Sequence, residues 1–209
     1  MNSKILGIYI IIAVIVFSGS AVKFQQQSES ENKFQVYKEK FSNVEWNNEL
    51  TKKLPTQTDL GREWTPLWPD GAEEYSEVEN PTMVKTTVAG KEVLSTSYNY
   101  LHQDHSEYQI LIWKGEWVSN WDPNEAIDKV FLQVNAKTEK VLDGLDLIPY
   151  CKVGYYDYYG DGKEIKNDLL FSECAKKDFR VRVNLVEGGY TEESVEKLVF
   201  LSNLVTGKI

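Results

Sequence analysis

Positive charge is scarce in this chain and nowhere clustered: 23 Lys and Arg stand against 32 Asp and Glu, for a net charge of −9 and a pI near 4.9. Phosphate backbones are held by grouped Lys and Arg, so a nucleic-acid partner is excluded, and an anionic membrane surface is disfavoured on the same ground. Histidine and cysteine are rarer still, with two of each in 209 residues. The chain also lacks a nucleophile elbow, a metalloprotease helix with paired histidines and a glycine-rich phosphate cradle. A Ser-His-Asp triad would need His102 or His105 as its base, and both sit in one short stretch. A carboxylate pair for glycoside hydrolysis can be found in any acidic chain and so carries little information. The single Asn-x-Thr, Asn80-Pro81-Thr82, is closed to glycosylation by its proline. No catalytic residue is assigned.

What is present is a globular composition, 42% hydrophobic and 26% charged, at a length that fits one domain plus an extension. The extension is N-terminal. Lys4 precedes thirteen apolar residues from Ile5 to Phe17, and small residues follow up to Val22. That pattern is a signal peptide with a cleavage point after Ala21. The eighteen uncharged residues from Ile5 to Val22 also suffice for a single transmembrane anchor, which is the preferred reading. No cysteine follows the run to carry a lipid. The expected organisation is residues 1–22 as signal peptide or anchor, 23–58 as a polar tether and short amphipathic helix, and 59–209 as an extracytoplasmic domain. Phe34, Tyr37, Phe41 and Val44 form the apolar face of that short helix, whose ordinary role is packing against the domain.

Residues 59–80 read as irregular. Beyond them, TMVKTTV, VLSTSYNYL and YQILIW are rich in β-branched and aromatic residues and predict three strands, the first two joined at AGKE. Asp122-Pro123-Asn124-Glu125 then opens a helix with Ala126, Val130, Phe131 and Val134 as its stripe. The order repeats. IPYCKVGYY, DLLFSEC and DFRVRVNLV predict strands, and Thr191 caps a helix whose apolar residues are Val195, Leu198, Phe200, Leu201 and Val205. AIDKVF and SVEKLV stand 68 residues apart at matching places in the two halves. The expected fold class is α+β, an antiparallel sheet with helices packed on one face in a twofold β-β-β-α plan, preceded by the N-terminal membrane helix.

Both cysteines bound one stretch, CKVGYYDYYGDGKEIKNDLLFSEC. In an exported chain such a pair is read as a disulfide between Cys151 and Cys174. If Gly162 and Lys163 form a two-residue hairpin loop, the two cysteines face each other, and Asp157 faces Asp168. Asp157, Asp161, Gly162 and Asp168 also match positions 1, 5, 6 and 12 of a calcium loop, although position 3 is Tyr159 and position 12 lacks the bidentate glutamate. A clamped hairpin with a weak cation site between Asp157 and Asp168 is the resulting expectation.

Two further places carry candidate chemistry. His102, Asp104, His105 and Glu107 gather imidazoles and carboxylates in LHQDHSEY, a donor set suited to Zn²⁺ or Cu²⁺, although strand alternation puts His102 and Asp104 on one side and His105 and Glu107 on the other. Trp113, Trp117 and Trp121 recur every four residues, with Trp64 and Trp68 upstream, a pattern that core packing or a sugar-stacking surface would both use.

Leu54, Pro55, Thr56, Asp59, Leu60, Gly61 and Trp64, the cysteine-bearing second half, and the terminal Gly207-Lys208-Ile209 resemble exported, membrane-anchored proteins of ammonia-oxidising archaea whose activity is not characterised. The resemblance covers about residues 54–209 and implies an extracytoplasmic, membrane-associated location. It transfers no catalytic residue. The functional expectation is a binding module for another protein of the envelope, attached to the membrane through its N-terminal helix and needing no cofactor. A copper- or zinc-handling protein, or a carbohydrate-binding or hydrolytic one, is the rival.

Overall fold

The structure, a computed structural model, describes residues 34–35, 38, 45–67, 81–88, 90–116, 122–125, 138–143, 145–146, 150–159 and 166–209. They include eight strands: β1 (Trp64–Pro66), β2 (Val84–Val88), β3 (Lys91–His102), β4 (Glu107–Lys114), β5 (Thr138–Leu142), β6 (Cys151–Tyr159), β7 (Lys166–Lys176) and β8 (Phe179–Glu187). All join one antiparallel sheet in the order β1-β3-β4-β8-β7-β6-β5, with β2 also paired to β3. Two helices are complete, α1 (Gln57–Leu60) and α2 (Glu192–Gly207). The α+β class therefore stands.

Period-two alternation decides which face is dry. Tyr98 and Tyr100 of β3, Tyr108, Ile110 and Ile112 of β4, Val181, Val183 and Leu185 of β8, and Leu170 of β7 are buried in one cluster with Val195, Leu198, Leu201 and Val205 of α2. Thr191 caps α2 as its sequence announces, in a reciprocal box with Ser194. Phe200 departs from the expected stripe and is 41% exposed. It lies five residues past Val195, about 140° around the helix and off the buried face.

The same core takes in the segment ahead of the sheet. Leu50 and Leu54 are fully buried, and Trp46 packs edge-on to Tyr98 at 5.2 Å. The packed unit thus begins before residue 59, because these leucines fill the sheet face beside α2. Phe34, in a helical stretch with Gln35 and Lys38, is buried as well. Tyr37, Phe41 and Val44 lie outside the described residues, as does the apolar run 1–22. No helix among the described residues is long and apolar enough to cross a membrane. Residues 123–125 are helical with Asp122 Oδ1 accepting the Asn124 N–H at 2.9 Å, and the remainder of that predicted helix lies outside the described residues.

Three short elements, α1, β1 and β5, have no sequence expectation, and where the amphipathic helix is expected to run on to Pro55, residues 45–50 are not helical and only a 3₁₀ turn at Thr51–Lys53 follows. Elements of three to five residues are too short to show a period, and pairing with longer neighbours supplies what local propensity does not.

Cys151 and Cys174 form the expected disulfide, their Cα atoms 4.1 Å apart. The ladder between β6 and β7 runs from Cys151 opposite Cys174 through Asp157 opposite Asp168 to Tyr159 opposite Lys166. On the face away from α2, fully buried Glu173 accepts two hydrogen bonds from Arg180 at 2.9 Å and another from Arg182.

Candidate functional site, an acid-rimmed groove beside helix α2

The groove begins with the turn between β3 and β4. His102 N–H donates to Ser106 O at 2.9 Å, which closes a three-residue loop. His105, its last member, takes the left-handed conformation that such loops require, at φ 72°. Asp104 folds back over the loop. Its Oδ1 accepts from the Ser106 N–H at 3.0 Å and the Ser106 hydroxyl at 2.6 Å, and stands 2.7 Å from His102 Nδ1. Its other oxygen pairs with Lys197 of α2, which also reaches Glu193 one turn earlier at 2.8 Å.

Burial pushes the Asp104 carboxyl up, but hydrogen bonds from Lys197, Ser106 and His102 outweigh it and hold the group well below its ordinary 3.8. Burial likewise lowers Lys197, and its hydrogen bonds to Asp104 and Glu193 override that and leave it above 10.5. An ionised carboxylate oxygen 2.7 Å from Nδ1 places a proton on that nitrogen. The 3.3 Å approach of the Asp104 N–H to the same atom is too long to compete. His102 Nε2 is left facing the groove.

The opposite wall comes from the segment before β1. Thr56 and Asp59 close a capping box over α1, and Gly61 ends it at φ 78°. Gln57 Nε2 donates to the carbonyls of Gly61 and Trp64, at 2.6 and 2.8 Å. This sets Trp64 edge-on to His102 with ring centroids 4.8 Å apart, and stacked with Phe200 at 6.2 Å. Between them lies an open cavity of about 470 Å³, with Glu63, Glu193 and Glu196 at its rim. A second cavity of about 340 Å³ lies on the other flank of α2, where Leu142, Leu145, Tyr190 and Val195 are rimmed by Asp143, Glu192 and again Glu196.

Comparison with protein-family models, with characterised proteins and with solved structures finds no match for this chain.

His102 and Asp104 meet as their alternation predicts, but the four-residue ligand set does not converge. Glu107 accepts from Asn99 Nδ2 at 2.8 Å, one strand position from Tyr108 and hence on the other face of the sheet. Among the described residues no group of three or more His, Cys, Asp or Glu is placed to hold a metal ion. Asp157 and Asp168 are opposed in the ladder, and Asp161 lies outside the described residues. Strands flank this stretch on both sides, where a calcium loop of the matched pattern joins two helices. Of these tryptophans, the two that are described, Trp64 and Trp113, lie on opposite faces of the sheet. Trp64 faces α2, whereas Trp113 lies under the Arg180 guanidinium at 4.9 Å on the far face; Trp68, Trp117 and Trp121 lie outside the described residues.

Sequence reasoning missed Glu63, Lys197 and the exposure of Phe200. The Glu193–Lys197 spacing of four was a readable helix ion pair. The contact of Lys197 with Asp104, 93 residues away, had no local signal.

Proposed function

We propose that this chain is an extracytoplasmic binding module whose groove beside α2 takes a basic, partly apolar segment of a protein partner in the cell envelope. The observation that carries this reading is the pairing of aromatic floors with carboxylate rims on both flanks of one helix. Trp64 with Phe200, and Tyr190 with the leucines, offer ring and aliphatic surface, while Glu192, Glu193, Glu196 and Asp143 supply negative charge. Lys197 adds little opposition, since Asp104 and Glu193 neutralise it. A Lys or Arg side chain suits such a surface, its stem on the rings and its head among the carboxylates.

The disulfide supports the location, because cystines persist in oxidising compartments. The proposal keeps the preferred single-pass anchor with the domain outside, or release after Ala21, in line with the resemblance to exported archaeal proteins. The twofold plan belongs to it as well. β2-β3-β4 and β6-β7-β8 are successive antiparallel meanders joined through β4 and β8, the arrangement a duplicated β-β-β-α unit would produce.

Fluorescence anisotropy with a labelled Lys/Leu peptide and its Glu/Leu counterpart tests the reading. The basic peptide is expected to bind and to weaken with salt, and Glu193→Gln with Glu196→Gln, or Phe200→Ala alone, should weaken it further. Glu92→Gln with Glu187→Gln removes equal charge elsewhere and should leave it unchanged. Equal loss in both double variants would reduce the effect to net charge and sink the proposal.

A further inference from the structure

We propose that His102 Nε2 and Glu63 form a two-donor site for a single Cu²⁺ or Zn²⁺ ion in the groove, with Asp104 as the carboxylate that orients the imidazole from behind. The ligands differ from those the sequence suggests. Asp104 acts through His102 and touches no metal, while His105 and Glu107 take no part.

Three observations carry the inference. First, the His102 side chain is only 7% exposed, yet its Nε2 faces the groove with no hydrogen bond to any described residue. With the proton on Nδ1, that nitrogen presents a lone pair. Another acceptor, Glu63 Oε2, stands 3.9 Å from it. Two acceptors facing each other across a gap repel unless a cation lies between them.

Second, the spacing suits one ion. Donors each about 2.0–2.2 Å from a metal stand at most about 4.2 Å apart, so 3.9 Å is within reach. Glu63 is 66% exposed and has the freedom to close the remaining angle. An imidazole with a carboxylate selects Cu²⁺ and Zn²⁺ over Ca²⁺ and Mg²⁺. Water can fill the open positions, which makes the site accessible to a further ligand.

Third, the support behind the imidazole is already built. Metal-bound histidines donate their second N–H to a carboxylate that fixes tautomer and ring orientation, and here Asp104 is itself held by Ser106 and Lys197. The Lys197 charge, compensated by Asp104 and Glu193, does not repel a cation at Nε2.

The test is titration of the full chain, purified in mild detergent without a histidine tag, with CuCl₂ or ZnSO₄ alone. Copper is expected to saturate at one equivalent, to give an electron paramagnetic resonance spectrum with one coordinated imidazole nitrogen, and to quench part of the tryptophan fluorescence through Trp64. Glu63→Gln, at an exposed position that leaves folding intact, should weaken binding by at least about tenfold. Asp104→Asn should weaken it about 10–100-fold, and His105→Gly should leave it unchanged. No saturable copper, binding indifferent to Glu63→Gln, or loss of binding in His105→Gly would each overturn the proposal. Because no peptide is present, the outcome is independent of the partner reading above.

Discussion

Asp104 shows how much one side chain can organise when both carboxylate oxygens are engaged. It shapes the loop through Ser106, sets the His102 tautomer and ties the sheet to α2 through Lys197. Its folded form binds a proton less readily than its unfolded form, whose carboxyl sits near 3.8. The stability it contributes is therefore present above that value and is lost as pH falls below it toward the depressed folded value. Lys197 has the opposite sign: its contribution is present below 10.5 and is lost as pH rises through its raised folded value. The expected outcome is that Asp104→Asn melts at lower temperature than the parent near pH 6, and that the gap closes between about pH 4 and pH 2. Calorimetry across that range checks it, and a gap that stays constant would show that the carboxylate is not the linked group. At this scale the sequence was half legible. A spacing of two put His102 and Asp104 on one side, while Glu63 and Lys197 reach them through tertiary contacts alone.

The clearest element is the β6–β7 hairpin. A turn signal midway between two cysteines was enough to set the register, because a one-residue slip would have put the sulfurs on opposite faces. The cystine lies against α2, with Cys151 Sγ 3.6 Å from Thr206 Oγ1. It closes a loop of 23 residues, which in the chain-entropy picture stabilises the fold by about 3 kcal/mol. Cys151→Ala with Cys174→Ala should lower the urea midpoint by a corresponding amount, and an unchanged midpoint would show that the crosslink stabilises little. The Asp157–Asp168 opposition in the same ladder leaves a simpler question, whether calcium raises the melting temperature.

For the whole molecule, the revision is where the domain starts. Residues 53–59 and the Gly-Lys-Ile terminus, about 150 residues apart in sequence, are clasped together. Lys208 Nζ pairs with Asp59 and donates to Leu54 O at 3.1 Å, and Lys53 Nζ donates to Lys208 O at 2.6 Å. A chain beginning at Asp59 would lose the Lys53 and Leu54 contacts of this clasp and two fully buried leucines, Leu50 and Leu54. Each such loss costs about 2–5 kcal/mol, together comparable with the about 5–15 kcal/mol that holds a domain folded. That truncation should fail to unfold cooperatively in circular dichroism, whereas a chain beginning at Lys23 should do so. A sharp transition in the shorter chain would return residues 23–58 to the role of a tether.

The sequence by itself determined the class of fold, six of the eight strands, the cap of α2 and the cystine register. Each of these follows from local periodicity, capping chemistry or a turn, which act over a few residues. Only the tertiary structure decided that residues 45–60 belong to the core and that β1 and β5 exist. It alone decided that Phe200 faces a groove, that Lys197 meets Asp104 and that Glu63 stands against His102. Those outcomes depend on which surfaces remain unburied once sheet and helix have packed, a quantity that belongs to the assembled chain.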